Sequence, residues 1–160
     1  MGTTIGIDLG TTNTAIAVLS DGRPRVLEDE KGYKVLPSCV SLKGDGSFTV
    51  GHAAKSLIIT EPDSTVYAVK RLLGRRYDSE EAAVAKERVS YDIEQAEEGN
   101  CLVRLGDEYY TPIEVSALIL QVVKGIAERA VGDVVDEAVI TVPAYFNHAQ
   151  RAATLEAAEL

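Results

Sequence analysis

Near its start the chain runs Ile5-Gly6-Ile7-Asp8-Leu9-Gly10-Thr11-Thr12-Asn13-Thr14 and then Ala15-Ile16-Ala17-Val18-Leu19, which reads as a strand, a small hydroxyl-rich turn and a second strand. The alternating β-branched residues after Asn13 call for a strand where a Walker-type loop requires a helix, and the Gly-Lys-[Ser/Thr] ending of that loop is missing. The turn nonetheless suits phosphate. Gly10 carries no side chain to block a ligand, so backbone N–H groups around it can face oxygen anions, and Thr11 and Thr12 add hydroxyl donors. Asp8 only accepts hydrogen bonds, and it would repel bare phosphate unless a hard cation such as Mg²⁺ lay between them. Carboxylate, glycine and two hydroxyls together suggest a metal-nucleotide site on a hairpin. Taken alone, the same residues also fit an ordinary hairpin whose turn is built from small residues.

The rest of the chain alternates strand and helix signals. A third strand is expected at Arg25-Val26-Leu27-Glu28 after a turn at Asp21-Gly22, completing an antiparallel meander. Glu28 to Gly32 reads as a solvated charged connection, and Leu36-Pro37-Ser38 as a restricted elbow where a boundary could fall. Two hairpins follow, Cys39–Leu42 with Phe48–Val50 and Leu102–Leu105 with Glu108–Tyr110, with short helical pieces between them. One of those pieces is expected to be opened by Asp78, with Glu81 three residues on; the acidic run Glu94 to Asn100 reads as a loop in water. Thr111-Pro112-Ile113-Glu114 is a clear helix start, with Val115, Leu118, Ile119, Val122 and Ile126 at helical spacing until Gly132. Glu137 to Val142 is a nearly unbroken apolar strand of the kind covered on both faces, stopped by Pro143. Asn147 and Gln150 open a last helix that runs to Leu160 without a stop signal, which suggests a chain cut from a longer protein.

Composition limits the function. At 46% hydrophobic and 26% charged residues the chain is expected to be a soluble globular unit, and its net charge of −9 argues against nucleic-acid or anionic-membrane surfaces. No apolar run approaches the ~18 residues of a membrane span, and no secretory leader is visible, so a cytoplasmic location is expected. Met1-Gly2 does not open a myristoylation motif, because Gly6 stands where a hydroxyl residue is needed. Cys39 and Cys101 lie in strand-like segments far from any ligand partner and read as small buried hydrophobes; His52 and His148 are likewise isolated.

Lys70-Arg71-Leu72-Leu73-Gly74-Arg75-Arg76 gathers four cations in an acidic protein. Such a cluster is either a solvated set of ion pairs or a source of one cation, most naturally Lys70, for a terminal phosphate.

Three segments in order, Ile5 to Asn13, Ala68 to Arg76 and Ala138-Val139-Ile140-Thr141-Val142-Pro143-Ala144-Tyr145-Phe146-Asn147, give the chain its likeness. It resembles the N-terminal part of the seventy-kilodalton heat-shock chaperones, the DnaK type. The first segment has relatives in sugar or carboxylate kinases and in actin-like filament proteins, but neither typically carries the Val69 to Arg76 block. The resemblance implies an α/β fold of the actin-like ATPase (ribonuclease H-like) kind, a mixed β-sheet with flanking helices and a smaller α+β upper subdomain, forming the truncated first lobe of a two-lobed domain. It implies a base subdomain at 1–37 and 112–160 and an upper subdomain at 38–111. It implies that Gly10, Thr11, Thr12 and Asn13 bind the phosphates of ATP or ADP, that Asp8 holds Mg²⁺ through water, and that Lys70 reaches the terminal phosphate for hydrolysis. Pro143 and Arg151 match positions that relay nucleotide state, and His148 departs from the acidic residue usual at its place. The implied partners are unfolded polypeptides, bound by a C-terminal domain this chain lacks, a J-domain co-chaperone and a nucleotide exchange factor, in protein folding and the stress response.

Overall fold

The structure, a computed structural model, describes residues 3–160, so the Met1-Gly2 start lies outside it. Strand β1 (Thr3–Leu9) forms its middle line: it pairs antiparallel with β2 (Asn13–Ser20), which in turn pairs with β3 (Arg23–Val26) and, at its other end, with β4 (Val35–Pro37). Strand period places Ile5, Ile7 and Leu9 on one buried face while Thr4, Gly6 and Asp8 point away from it. The third strand thus begins two residues earlier than the sequence suggests. Leu27 leaves the ladder yet keeps one bond to it, N–H to the Ile16 carbonyl at 2.8 Å, while its side chain turns into the core.

From Pro37 the chain crosses to a second sheet, in which β5 (Cys39–Leu42) lies between β6 (Phe48–Val50) and, beyond helix α1 (His52–Lys55), β7 (Thr65–Tyr67). Helix α2 (Glu80–Arg88) precedes a third sheet of β8 (Ile93–Gln95), β9 (Cys101–Leu105) and β10 (Glu108–Tyr110). Two expectations are corrected here. Ser79, not Asp78, caps α2, its hydroxyl accepting from the Ala82 N–H at 3.2 Å; Asp78 is drawn instead to Arg76 at 3.4 Å. The acidic run is not all loop, because Glu94 and Gln95 pair with Leu102 and Cys101. Strand alternation lets β8 bury Ile93 while its acidic neighbours stay in water. Both cysteines are buried thiols within strands, as expected.

Helix α3 (Pro112–Val131) has the expected reciprocal cap, with the Thr111 hydroxyl accepting from the Glu114 N–H and the Glu114 carboxylate accepting from the Thr111 N–H, and it ends at Gly132 in the left-handed region. Its buried stripe is Val115, Ile119, Val123 and Ile126, joined by Leu120 and Ala127; Leu118 and Val122 are only half-buried. Together with Ile5, Ile7, Leu9, Ile16 and Val40 this stripe forms one continuous core.

Strand β11 (Val135–Thr141) adds to β1 in parallel, making the first sheet mixed, and helix α4 (His148–Glu159) packs along α3 after the second expected capping pair, Asn147 with Gln150. The apolar strand is not covered on both faces. It lies at the sheet's edge, pairs among the described residues only with β1, and leaves Val139 64% exposed. Between it and helices α3 and α4 runs an open groove of about 720 Å³. An unbroken apolar run records the covering a strand can accept, and among the described residues no element covers the exposed side of Val139. Among the described residues no helix is long and apolar enough to cross a membrane.

Candidate functional site at the first hairpin turn

The first hairpin closes between Leu9 and Thr14, its last paired residues, leaving a short bend centred on Gly10. Gly10 is required there: a Cβ at this position would fall on the Asn13 carbonyl oxygen, far inside van der Waals contact. Three carbonyl groups of the bend are taken by residues from elsewhere in the chain. Leu9 O accepts from Lys70 Nζ at 2.7 Å, Gly10 O from Ser38 Oγ at 2.8 Å, and Thr12 O from the Ser38 N–H at 2.9 Å. The Thr11 and Thr12 N–H groups, by contrast, make no hydrogen bond among the described residues. A bend with three of its acceptors occupied and two of its donors free is suited to an anion.

Lys70 reaches this bend from the turn that follows β7. Ala68 adopts the left-handed region (φ 55°) and starts a 3-10 turn at Val69–Arg71, which directs the lysine back across the chain. Its ammonium sits 5.4 Å from the centre of the Phe146 ring, in a half-buried position. Burial lowers its pKa from the ordinary lysine value, and the nearby negative charge of Asp8 opposes that shift. The amine is therefore held over the bend, not in bulk solvent.

The rest of the basic block divides from Lys70. Arg75 pairs with Glu81 at 2.8 Å, and Arg76 pairs with Asp78 and donates to the Glu98 carbonyl, so these two follow the ion-pair reading. Gly74, at φ 68°, lies against α4 so closely that a Cβ would come within 2.7 Å of Gln150 Cα.

A cleft of about 410 Å³ opens among these parts, lined by Thr11, Lys70, Arg71 and Arg75, by Glu80 and Glu81 of α2, and by Pro143, Tyr145 and Phe146. Of the residues singled out from the sequence, Thr11, Lys70 and Pro143 line this cleft, and Gly10 precedes Thr11 in the bend. Thr12 and Asn13 are exposed on the outer side of the bend, and Asn13 is already the first residue of β2. Arg151 does not line the cleft but joins it indirectly, its Nε donating at 3.2 Å to the carbonyl of Phe146, whose ring faces Lys70. His148 is exposed in the first turn of α4.

Asp8 is exposed at the end of β1, where the Thr141 hydroxyl donates to Oδ1 at 3.3 Å. One carboxylate beside a phosphate-shaped bend fits Mg²⁺, which keeps most of its water and is commonly held by one or two carboxylates plus the substrate's own phosphates. A closed protein cage is not needed, and among the described residues no group of three or more His, Cys, Asp or Glu is gathered to form one.

Three residues of this site were not singled out by the sequence: Ser38, Thr141 and Phe146. Ser38 was visible only as part of a Pro-containing elbow, and its hydroxyl gave no sign of facing a bend 28 residues away. Thr141 and Phe146 were legible as members of the third segment, without individual roles.

The family model described as "Hsp70 protein" matches residues 4–160. That match removes the kinase and filament alternatives left open by the first motif. Its extent, nearly the whole chain, makes this protein a member of the Hsp70 family and with it an example of the actin-like ATPase fold.

Proposed function

We propose that this chain supplies one face of an ATP-hydrolysing site in a longer chaperone, in which nucleotide state governs affinity for unfolded polypeptide. Hsp70 proteins are chaperones that bind nucleotide and magnesium and act with co-chaperones on unfolded polypeptides. The observation that carries the reading to this chain is the Lys70 ammonium held 2.7 Å from the Leu9 carbonyl, over a bend whose Thr11 and Thr12 amides make no hydrogen bond among the described residues.

In this reading Gly10, Thr11 and Thr12, followed by Asn13, hold phosphate oxygens of ATP or ADP, and Asp8 holds magnesium through water. The metal, when bound, neutralises charge on the phosphates. Lys70 leaves Leu9 O to place a compact positive charge at the terminal phosphate, where charge develops as water attacks. Pro143 and Arg151 carry the state of the site onward through Phe146, the residue that links Arg151 to Lys70. The base subdomain is 1–37 with 112–160 and the upper one 38–111, a division supported by the sheets: β1 to β4 and β11 share one, and the strands from β5 to β10 form the others.

The exposed side of β11 and the open groove beside α4 are where further elements of the longer protein would pack. Alone, the 160-residue chain lacks whatever those elements bring to the site, and each missing preorganised group commonly costs ~3 kcal/mol of transition-state stabilisation. The chain alone is therefore expected to fold at least in part, yet neither hold Mg-ATP tightly nor turn it over. J-domain co-chaperones, nucleotide exchange factors, a cytoplasmic location and a role in the stress response belong to the same proposal for the longer protein. Steady-state hydrolysis by that protein, with and without an unfolded client, tests it: client-stimulated ATP turnover is expected, and absence of turnover in a folded sample would overturn it.

A further inference from the structure

The hydroxyl of Ser38 stands at the crossing between the first sheet and the second, after β4 ends at Pro37 and before β5 begins at Cys39. Ser38 is 4% exposed, and among the described residues its hydroxyl's hydrogen-bond partners are the first hairpin's own atoms: Gly10 O at 2.8 Å and the Thr14 hydroxyl at 2.9 Å. Proton accounting fixes the direction of these bonds. A serine hydroxyl has one proton, and a carbonyl can only accept, so Ser38 donates to Gly10. Thr14, itself 1% exposed, must then donate to Ser38. The Ser38 backbone N–H meanwhile holds Thr12 O. One residue thus takes two of the bend's carbonyls from behind.

A peptide plane turns as a unit, so fixing a carbonyl oxygen also fixes the N–H of the following residue on the opposite side. Gly10 O shares its plane with the Thr11 N–H, and Thr12 O shares its plane with the Asn13 N–H. We infer that Ser38 is a positioning residue for phosphate: by holding Gly10 O with its hydroxyl and Thr12 O with its N–H, while Thr14 completes its hydrogen bonds, it fixes the plane of the unbonded Thr11 N–H, on the bend residue that lines the cleft. This inference rests on the nucleotide reading above and concerns the same site. Its reason for using a hydroxyl at this buried position is that an apolar side chain would leave Gly10 O and the Thr14 hydroxyl both unpaired.

The test uses the longer protein that carries this chain, titrated by calorimetry with Mg-ATP and, separately, with adenosine, which has the base and sugar but no phosphate. In Ser38→Ala, Mg-ATP affinity is expected to fall about tenfold, the scale of one buried hydrogen bond lost from a preorganised site, while adenosine affinity stays within about twofold of wild type. A Ser38→Ala protein that binds Mg-ATP like wild type, or that loses Mg-ATP and adenosine in equal proportion, overturns the inference. If Ser38→Ala does not fold, Thr14→Val serves, since it keeps the shape and the Ser38 to Gly10 bond but removes the proton donated to Ser38. A loss of about threefold confined to Mg-ATP is then expected, and no loss or a parallel loss overturns the inference. Should the wild-type protein bind Mg-ATP no better than adenosine, the nucleotide reading itself fails, an outcome separate from either variant's behaviour.

Discussion

Lys70 Nζ donates to Leu9 O at 2.7 Å across 61 residues of sequence, so that a side chain of the 3-10 turn after β7 closes over the first hairpin. The contact explains why the lysine differs from its basic neighbours. Arg75 and Arg76 form ion pairs with Glu81 and Asp78, whereas Lys70 gives up part of its hydration and finds a neutral carbonyl in return. Partial desolvation without an ion-pair partner is costly, and it leaves a charge ready to be better satisfied by an anion entering the cleft.

Lys70→Ala is expected to abolish ATP hydrolysis in the longer protein while leaving Mg-ATP binding largely intact. Lys70→Arg should not restore turnover, because a planar fork cannot present the compact point charge that the present geometry delivers. Single-turnover hydrolysis beside equilibrium nucleotide titration separates the two effects; unchanged turnover in Lys70→Ala would remove Lys70 from the mechanism.

Gly10→Ala should be severe, and a control glycine shows why. At Gly10 a methyl group would collide with the Asn13 backbone, and backbone cannot rotate away as a flexible side chain can. At Gly46 (φ 82°) a methyl group would meet open space, leaving only the intrinsic cost of a left-handed residue, about 1 kcal/mol. Urea unfolding of the 160-residue chain is therefore expected to show Gly10→Ala losing more than about 2 kcal/mol and clearly more than Gly46→Ala. Equal losses would mean that the bend opens easily and is not preorganised.

Local chemistry made much of this molecule legible in its sequence. Thr111 with Glu114 and Asn147 with Gln150 both form the reciprocal caps their spacing announces, because such caps depend only on residues within one turn. The hairpin at Gly10 was legible for the same reason. What escaped were features decided by distant neighbours. Val35–Pro37 and Thr65–Tyr67 become strands because β2 and β5 offer them partners, although each run is too short to announce itself. The edge position of β11 depends on what lies beyond it, and its apolar run says nothing of that. At the site, Gly10, Thr11 and Lys70 were legible from charge and turn chemistry, but Ser38 and Phe146 enter only through tertiary proximity.

Thr111→Ala is expected to cost about 1 kcal/mol of stability, the usual worth of a hydroxyl cap. Here the cap stands at the start of the 20-residue helix that carries much of the core, so the loss should appear in global unfolding and not as local fraying alone. Thr111→Ser, which keeps the oxygen that accepts from Glu114, should recover most of it. Chemical denaturation of the three proteins decides the point, and a neutral Thr111→Ala would show the cap to be idle.

Cys39 offers a test of burial through pH. Desolvation in β5 raises its thiol pKa from 9.0 to about 11, with the charge of Lys55 opposing the shift. The sign follows from proton counting. Below the unfolded value both states keep the proton, so the thiol adds no pH dependence. Between about 9 and about 11 the unfolded chain releases its proton while the folded chain retains it, and stability must fall as pH rises. Above that window both forms are ionised and the loss is complete. Cys101 and Tyr91 are shifted upward as well, so the informative quantity is the difference between wild type and Cys39→Ala. Urea unfolding from pH 7.5 to about 10.5 should show the wild-type curve descending more steeply than the variant's, while folded protein near neutrality resists thiol reagents at this position. Parallel curves, or ready labelling of Cys39 in the native protein, would mean that the thiol meets solvent and that β5 is not the closed inner strand described here.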